Sequence, residues 1–298
     1  MVGIIVNHAL SDAERRAQLF QGELLVVSAS PATRALADHA IQSIRAAFAP
    51  LDPETAQYDL TIDEFIARVG PLKSAFTNGN KTKALIQAVL AEYGCDAEDT
   101  YFDVPRLRVV PSDNFLAAGV SYAYKMHRDT WYSSPHQQIN WWMPVMNVVP
   151  TRAMEFLPEY WTRPITNSSK DFDYAEWCAV GRRQATQQTT VDTRKHPLPL
   201  EEADGGSALR VAGTSADMLL FSAAHLHATA PNTSGKTRFS LDFRTVSRAD
   251  LEAGCGAPNV DCASTGTTLG DFLNMGTLMP LPEALVGPTT RAKELVDA

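Results

Sequence analysis

The sequence has few cysteines, and only Cys255 and Cys262, which flank a loop, are spaced so that a disulfide could form. The four cysteines contain no CxxC pair, and no histidine lies near them to complete a zinc site. We interpret all four as free thiols, the usual state in a reducing compartment. They are Cys95, Cys178, Cys255 and Cys262.

Long runs of one residue type are also missing. No stretch is rich in lysine or arginine, and the net charge of −8 argues against a nucleic-acid or anionic-membrane surface. No apolar run approaches the roughly 18 residues that span a bilayer. The N-terminus lacks the charged and apolar regions of a signal peptide. We therefore expect a cytoplasmic protein with neither nucleic-acid nor membrane partners.

The chain has enough apolar residues for a sizeable core. It has 298 residues, of which 45% are hydrophobic, without an internal repeat or a clear linker. We expect a single domain over 1–298, with a mainly helical part in 1–100. Apolar spacing predicts helices over 36–48, 61–69 and 81–93, and one early strand over 23–28.

From residue 100 onward, short strand-like segments alternate with turns. They lie at 101–104, 107–111, 122–126, 138–145, 209–212, 217–221 and 238–244. This pattern favours a β-sandwich or jelly roll over 101–248, with helical additions. Residues 160–200 form a long insertion, which is either a lid over a site or a segment whose aromatic residues pack onto the core. Residues 249–298 form a C-terminal extension.

One short motif carries the chemistry. His127 and Asp129 flank Arg128, and His227 follows a hundred residues later. Two imidazoles and one carboxylate are the facial triad that binds non-haem Fe(II) and leaves its other positions open. In a strand, residues i and i+2 share a face, so His127 and Asp129 are predicted to bind one ion from one strand end.

The segment from Gly213 to Arg244 resembles the C-terminal signature of Fe(II)/2-oxoglutarate dioxygenases, in particular the phytanoyl-CoA dioxygenase-like branch. An apolar strand leads to a His-x-Thr-x-Pro-Asn motif, and an Arg-x-Ser follows. In that family the Arg lies eleven residues after the ligand His. Arg238 lies eleven residues after His227 and thirteen after His225, so the motif selects His227.

The resemblance implies a cofactor, a cosubstrate and a fold. It implies a double-stranded β-helix, the cupin-like jelly roll, holding Fe(II) on His127, Asp129 and His227. The cosubstrates would be 2-oxoglutarate and O2, with release of succinate and CO2. A carboxylate at Asp129 disfavours halogenation, since related halogenases carry Gly or Ala there.

Further residues are assigned to the cosubstrate. Arg238 would bind the distal carboxylate of 2-oxoglutarate with its planar guanidinium, and Ser240 shares its strand face. The remaining candidate cosubstrate residues are Thr229, Trp142, Gln138 and Asn140, with Trp141 as an alternative to Trp142.

Substrate contacts are predicted only from proximity to the motif. The candidates are Arg128, Trp131, Tyr132 and Lys125. Arg106 and Arg108 are interpreted as solvated surface groups. Where relatives carry a Gly-rich segment, this chain has Glu155–Trp161, so an acyl-CoA substrate is not carried over.

The resulting hypothesis is an enzyme that hydroxylates a small, polar metabolite or natural-product intermediate, with a homodimer left open. Two alternatives remain. One is a cupin-like metalloenzyme, an isomerase or hydrolase, that does not use 2-oxoglutarate. The other is a non-catalytic jelly-roll binding module. Neither alternative requires Arg238 and Ser240 in register with His227.

Overall fold

The computed structural model describes residues 2–122, 125–181, 184–189, 191–204, 206 and 208–286. The end of the expected C-terminal extension lies outside these residues. The helices are α1 (Asp12–Phe20), α2 (Pro31–Phe48), α3 (Ile62–Asn78), α4 (Asn80–Glu92), α5 (Tyr174–Glu176), α6 (Arg248–Ala253) and α7 (Glu283–Val286). None of these described helices is long and apolar enough to cross a membrane.

The strands lie mostly after residue 100. They are β1 (Ile4–Val6), β2 (Leu24–Val27), β3 (Thr100–Phe102), β4 (Arg106–Val110), β5 (Ile139–Pro144), β6 (Met154–Phe156), β7 (Leu209–Val211), β8 (Met218–Ser222), β9 (His227–Thr229), β10 (Arg238–Ser247) and β11 (Leu273–Asn274). The early strand and six of the seven later segments are confirmed to within a few residues.

Some elements were not predicted, and one prediction was wrong. Helices α1, α5, α6 and α7 and strands β1, β6, β9 and β11 were missed. The strands have only two or three residues, which is too short for their alternation to be detected. The strand expected over 122–126 is absent from the described residues there. Tyr122 instead ends a 3₁₀ turn at Gly119–Ser121, and residues 123 and 124 lie outside the described chain.

Helix α3 shows how packing extends an element beyond its local signals. It begins with a capping box, as predicted, in which the Thr61 hydroxyl accepts the Glu64 backbone N–H. The expected end at Val69 was wrong, because the helix continues through Pro71. Buried residues at helical spacing, including Phe76, hold the later turns against the core.

The strands form an eight-stranded and a three-stranded sheet in the described chain. The large sheet runs β1-β2-β8-β5-β10-β3-β11, with β4 also paired to β10. Only the β1–β2 pair is parallel. The small sheet runs β7-β6-β9. The molecule is thus a mixed helix-and-sheet fold, and the double-stranded β-helix stays a prediction.

The large sheet has one apolar face and one face that carries charged residues. On β10 the odd-numbered residues from Phe239 to Phe243 are buried in the core that includes the N-terminal helices. The even-numbered residues from Arg238 to Arg244 point to the opposite face, as strand geometry requires. Four consecutive inward positions of one strand therefore bring polar groups to the same place.

A second apolar cluster joins the two sheets. Trp142, Leu219 and Phe221 from the large sheet pack with Met154 and Phe156 from the small one. Each fully buried side chain of this kind contributes about 1.5–3 kcal/mol of stability. The small sheet therefore covers the inner face of the large sheet, and the polar residues of β10 lie between them.

The insertion between β6 and β7 packs closely against Gly119. Gly119 has φ +59°, and a Cβ there would lie 2.1 Å from the Ala185 carbonyl oxygen and 2.6 Å from that of Gln188. The Gly119 N–H donates to Asp192 Oδ2 at 2.9 Å. Only glycine allows Ala185, Gln188 and Asp192 to approach this closely.

We predict that Gly119→Ala destabilises the packing of Ala185, Gln188 and Asp192 against residue 119. The matched control is Gly94→Ala, at φ +73° with no atom within 4 Å of the added Cβ. Both variants should lose about 1 kcal/mol from the left-handed backbone. Only Gly119→Ala should also speed amide hydrogen exchange in 185–192. Equal exchange in the two variants would show that the close approach does not hold the insertion.

Candidate metal centre and adjoining cavities

Two of the candidate ligands face each other across a backbone bridge. The His127 N–H donates to the His227 carbonyl, and the His227 N–H donates to the His127 carbonyl, both at 2.9 Å. Such a pair places the two side chains on the same side of the bridge. The imidazole centroids are 4.4 Å apart. Residues a hundred positions apart thus converge through two hydrogen bonds.

Asp129 joins the two histidines from a 3₁₀ turn and not from the expected strand. Its N–H donates to the Ala223 carbonyl at 2.9 Å, and it begins a 3₁₀ turn at Asp129–Tyr132. The prediction that His127 and Asp129 share a strand end was therefore wrong for Asp129. The turn still brings Asp129 Oδ1 to 3.2 Å from His127 Nε2 and 4.0 Å from His227 Nε2.

Backbone carbonyls set the orientation of both imidazoles. Nδ1 of His127 donates to the Lys125 carbonyl at 2.7 Å, and Nδ1 of His227 donates to the His225 carbonyl at 2.9 Å. This assignment leaves both Nε2 lone pairs directed toward Asp129. Lys125 thus acts through its main chain, and its exposed side chain lines neither cavity described below, contrary to the predicted substrate contact.

Asp129 and His227 have the protonation states that a metal requires. Burial alone would raise the pKa of Asp129, but Arg244, with its Nε 3.8 Å from Asp129 Oδ2, holds that pKa well below its usual range. Burial lowers the pKa of His227 to about 4, helped by the proximity of His127. A carboxylate and neutral imidazole are metal ligands without loss of a proton.

The geometry fits one metal ion. Each residue offers one ligand atom, and these atoms lie within 4.8 Å of one another, with all three residues buried. Adjacent ligands on an ion with bonds of about 2.1 Å are about 3 Å apart. The distances from Asp129 Oδ1 match that spacing after small movements. Two nitrogens and one carboxylate suit non-haem Fe(II).

The second oxygen of Asp129 accepts two amide hydrogen bonds. Asn140 Nδ2 lies at 2.8 Å and Gln138 Nε2 at 3.3 Å from Oδ2. Gln138 also donates to Asn140 Oδ1 at 2.9 Å. These amides were predicted to contact the cosubstrate; their donors hold the metal-binding carboxylate, and Asn140 also lines the cavity described below. Such contacts fix the carboxylate orientation and commonly change metal affinity by 10–100-fold.

Two predicted substrate contacts are structural. Arg128 Nε donates to Asp261 at 3.0 Å, and its Nη1 donates to the Ala224 carbonyl at 2.6 Å. Trp131 Nε1 donates to the same Asp261 carboxylate at 2.7 Å. Both side chains are buried away from the cavities, so the prediction that they contact substrate was wrong. They instead fix the turn that carries Asp129.

A cavity of about 570 Å³, including its opening to solvent, lies beside the candidate metal ligands. The expected cosubstrate residues Arg238, Thr229 and Trp142 line it, whereas Trp141 faces the helices in the main core. Ser240 lies between two cavity-lining residues on the same face of β10. Its buried hydroxyl has no hydrogen-bond partner among the described residues.

Arg238 has weak partners for a buried charge. Its Nη1 donates to the carbonyls of Arg152 and Ala153 at 3.3 and 3.4 Å, and its Nη2 lies 3.5 Å from the Thr229 hydroxyl. Its Nε has no partner within the described chain. The guanidinium carbon lies 5.9 Å from the Trp142 ring centroid. Burial lowers the pKa of Arg238 to about 10.

Several cavity residues were not predicted from the sequence. Arg108, which was interpreted as a surface group, lines the cavity and pairs with Asp242, Nη2 to Oδ2 at 2.9 Å. Arg244 lies beside Asp129. Strand parity from Arg238 through Ser240 would have placed Asp242 and Arg244 on the same face.

A second and larger cavity, of about 1920 Å³ including its opening to solvent, adjoins the first. The two share Asp129, Tyr122, Arg108 and Arg244 among their walls. Tyr132 also lines it, the one predicted substrate contact with a side chain in a cavity. We call this larger cavity the outer chamber.

His196 from the insertion packs at the edge of this region. Its ring stacks on Tyr122 at a centroid distance of 4.0 Å, and its Nδ1 lies 3.0 Å from the Tyr132 hydroxyl. Burial lowers the pKa of His196 to about 4, although Asp192, 3.5 Å away, opposes that shift. The packed insertion therefore favours the neutral imidazole.

Comparisons with known proteins found distant structural similarity only. No protein-family model and no curated protein matches the chain. The chain is similar to the non-heme monooxygenase ThoJ, with 13% identity, coverage of 72% of this chain and 70% of that one, and a TM-score of 0.41. For EvdO2 from Micromonospora carbonacea var. aurantiaca the values are 11%, 82%, 93% and 0.45.

A third similar structure is the alpha-ketoglutarate-dependent epimerase SnoN from nogalamycin biosynthesis. Its identity is 14%, coverage is 79% of this chain and 83% of that one, and the TM-score is 0.39. EvdO2 is also known in complex with 2-oxoglutarate. At these identities and TM-scores the likeness establishes no activity for this chain.

Substitutions of His227 and of His225 should distinguish the metal ligand from its neighbour. We predict that His227→Ala lowers affinity for Fe(II) by more than about 100-fold, beyond the range of indirect effects. His225→Gln should retain affinity, because His225 packs against Trp161, with ring centroids 4.6 Å apart, and does not line the cavity. Anaerobic calorimetric titration with Fe(II) measures both. Loss of binding in His225→Gln alone would contradict the assignment.

Acidification should loosen the insertion through His196. Because its pKa in the packed state is below the ordinary value of 6.5, the stabilisation is present above pH 6.5 and is lost as the pH falls toward 4. We expect proteolysis within 185–200 to accelerate at pH 5 relative to pH 7.5. His196→Gln, which does not titrate, should show a smaller change. An equal change in both proteins would assign the effect to other groups.

Proposed function

We propose that the protein is an Fe(II)- and 2-oxoglutarate-dependent oxygenase acting on a small molecule. The observation that carries this proposal is the Arg238 guanidinium, which is buried at the wall of the cavity that contains His127, Asp129 and His227. No carboxylate of the described chain lies within ion-pair distance of Arg238. A buried charge without a counter-ion is costly, and a ligand carboxylate would supply one.

The distance between the two ends of the cavity suits 2-oxoglutarate. Thr229 lies two residues after His227 on the same face of β9, about 7 Å along the strand. Arg238 reaches the Thr229 hydroxyl. A five-carbon dicarboxylate can bridge that span, with its keto acid end on the metal and its distal carboxylate on the guanidinium. Arginine binds such a carboxylate through two parallel hydrogen bonds.

Unpaired polar groups mark the same end of the cavity. The Ser240 hydroxyl, Trp142 Nε1 and Arg238 Nε are buried and have no hydrogen-bond partner among the described residues. Buried donors are usually paired, so such a group indicates a missing ligand or water. Trp142 would form an apolar wall for the carbon chain of the cosubstrate. Ser240 would add a hydroxyl near the distal carboxylate.

Bound Fe(II) and 2-oxoglutarate would together supply the activation of O2, with succinate and CO2 as products. The protein's own residues prepare this chemistry. His127, Asp129 and His227 bind one side of the ion and leave the other positions open. Asn140 and Gln138 orient the carboxylate, and Arg244 keeps it ionised. Arg238 would fix the orientation of the bound cosubstrate by holding its distal carboxylate.

We further propose that the reaction is hydroxylation of a small, polar substrate in the outer chamber. A carboxylate at Asp129 occupies the position where the related halogenases leave room for a halide. Tyr132 approaches the metal group from the outer chamber, with its ring centroid 5.3 Å from that of His127. The insertion, fastened at Gly119, would serve as the lid over this chamber.

Anaerobic titration with Fe(II) and then 2-oxoglutarate tests the proposal. We expect a visible charge-transfer band from the chelated keto acid in the wild-type protein. Arg238→Ala should bind Fe(II) normally but require at least about tenfold more 2-oxoglutarate, because the charge-assisted contact to the distal carboxylate is lost. Asp129→Ala should lose the band.

The matched control is Arg210→Ala. Arg210 is an exposed arginine that pairs with Glu155 and lines neither cavity. Its substitution should leave both affinities unchanged. If the wild-type protein binds Fe(II) and gives no band at any concentration of 2-oxoglutarate, the proposal is wrong. A metalloenzyme without 2-oxoglutarate would then be the better hypothesis.

A further inference from the structure

The outer chamber has basic walls. Five cationic residues line it, and the one carboxylate among its lining residues is the candidate metal ligand Asp129. The cations are Lys73, Arg106, Arg108, Arg194 and Arg244. Cavities lined by one sign of charge concentrate ligands of the opposite sign.

The arginines of the chamber already have counter-ions, which lie behind the lining residues. Arg108 pairs with Asp242, and Arg194 pairs with Asp192 at 2.6 Å. Arg106 and Arg244 both pair with Asp103, at 2.5 and 3.4 Å. These groups therefore form part of the wall structure.

Lys73 is different. It projects from α3 into the chamber, and its ammonium group donates to the backbone carbonyl of Val120. Within the residues that the structure describes, no carboxylate lies within ion-pair distance of it. Burial, together with the proximity of Arg108, lowers the pKa of Lys73 to about 7. An anion beside Lys73 would oppose both effects.

We infer that the substrate is an anionic small molecule whose oxyanion, a carboxylate or a phosphate, is bound by Lys73 in the outer chamber. This inference rests on the proposed function for the identity of the chamber as the substrate site. The chamber adjoins the candidate metal group, since both cavities are lined by Asp129 and Arg244. A substrate held by its anionic end at Lys73 would extend its neutral part toward the metal.

The rest of the chamber limits the shape of that substrate. Tyr132 and Trp177 contribute aromatic surface, and Ser74 and Thr77 contribute hydroxyls on the same helix as Lys73. These walls suit a compact molecule with an apolar or planar part and a few polar groups. Lys73 is thus a specificity-determining residue, because its positive charge selects an anionic substrate.

Binding of simple probes to the protein loaded anaerobically with Fe(II) and 2-oxoglutarate tests this inference. The probes are benzoate, phenyl phosphate and the neutral isostere benzamide, measured by calorimetry. Saturating 2-oxoglutarate keeps the probes away from the metal and Arg238. We expect the anions to bind at least about tenfold more tightly than benzamide, and either benzoate or phenyl phosphate to identify the preferred oxyanion.

Three variants locate the bound anion. Lys73→Met should lose the preference for anions, whereas Lys73→Arg should retain it. Lys81→Met, at an exposed position, should leave the preference unchanged. Equal binding of benzoate and benzamide by the wild type, or an unchanged preference in Lys73→Met, would overturn the inference.

Failure of the proposed function is detected separately. The charge-transfer band in the same samples reports whether 2-oxoglutarate is bound. If the band is absent, the probes are measured on the apoprotein with Arg238→Ala as a further variant. Anion binding that depends on Lys73 would then support a binding site without the oxygenase. Anion binding that depends on Arg238 alone would place the probe at the cosubstrate end and overturn the inference.

Discussion

The candidate site depends on the pair of backbone hydrogen bonds between His127 and His227. Each bond alone contributes only about 1 kcal/mol to stability. Together they fix the register of two distant segments, so the imidazoles can approach only in one arrangement. Burial then makes the arrangement chemically specific, because it keeps His227 neutral while Arg244 keeps Asp129 ionised. Position and charge state therefore come from the same packing.

The inner face of the large sheet follows from simple alternation, and this part was predictable from sequence. Strand parity placed Arg238 and Ser240 on one face, and the same reasoning applied further along β10 would have included Arg244. The residue count from Arg238 selected His227 over His225, and the structure brings His227, not His225, to Asp129. Local pattern was sufficient wherever a side chain's direction is set by its own strand.

The errors share a physical cause, namely partners distant in sequence. Arg128 and Trp131 are adjacent to the metal motif, yet both are bound by Asp261 from the C-terminal extension. No local signal shows that Asp129 would accept a hydrogen bond from Asn140. Arg108 resembled a surface residue because Asp242 is 134 residues away. Sequence spacing identifies the ligand set but not the contacts that support it.

The charges of the two cavities can be understood as one system. A divalent ion with Asp129 and a dianionic cosubstrate would leave one negative charge, which Arg238 would neutralise. The arginines of the outer chamber are balanced in part by Asp103, Asp192 and Asp242. Lys73 then contributes a positive charge to which the described chain offers no carboxylate. Since an uncompensated charge at a half-buried position weakens folding unless a ligand binds there, a substrate anion accounts for its place in the chamber wall.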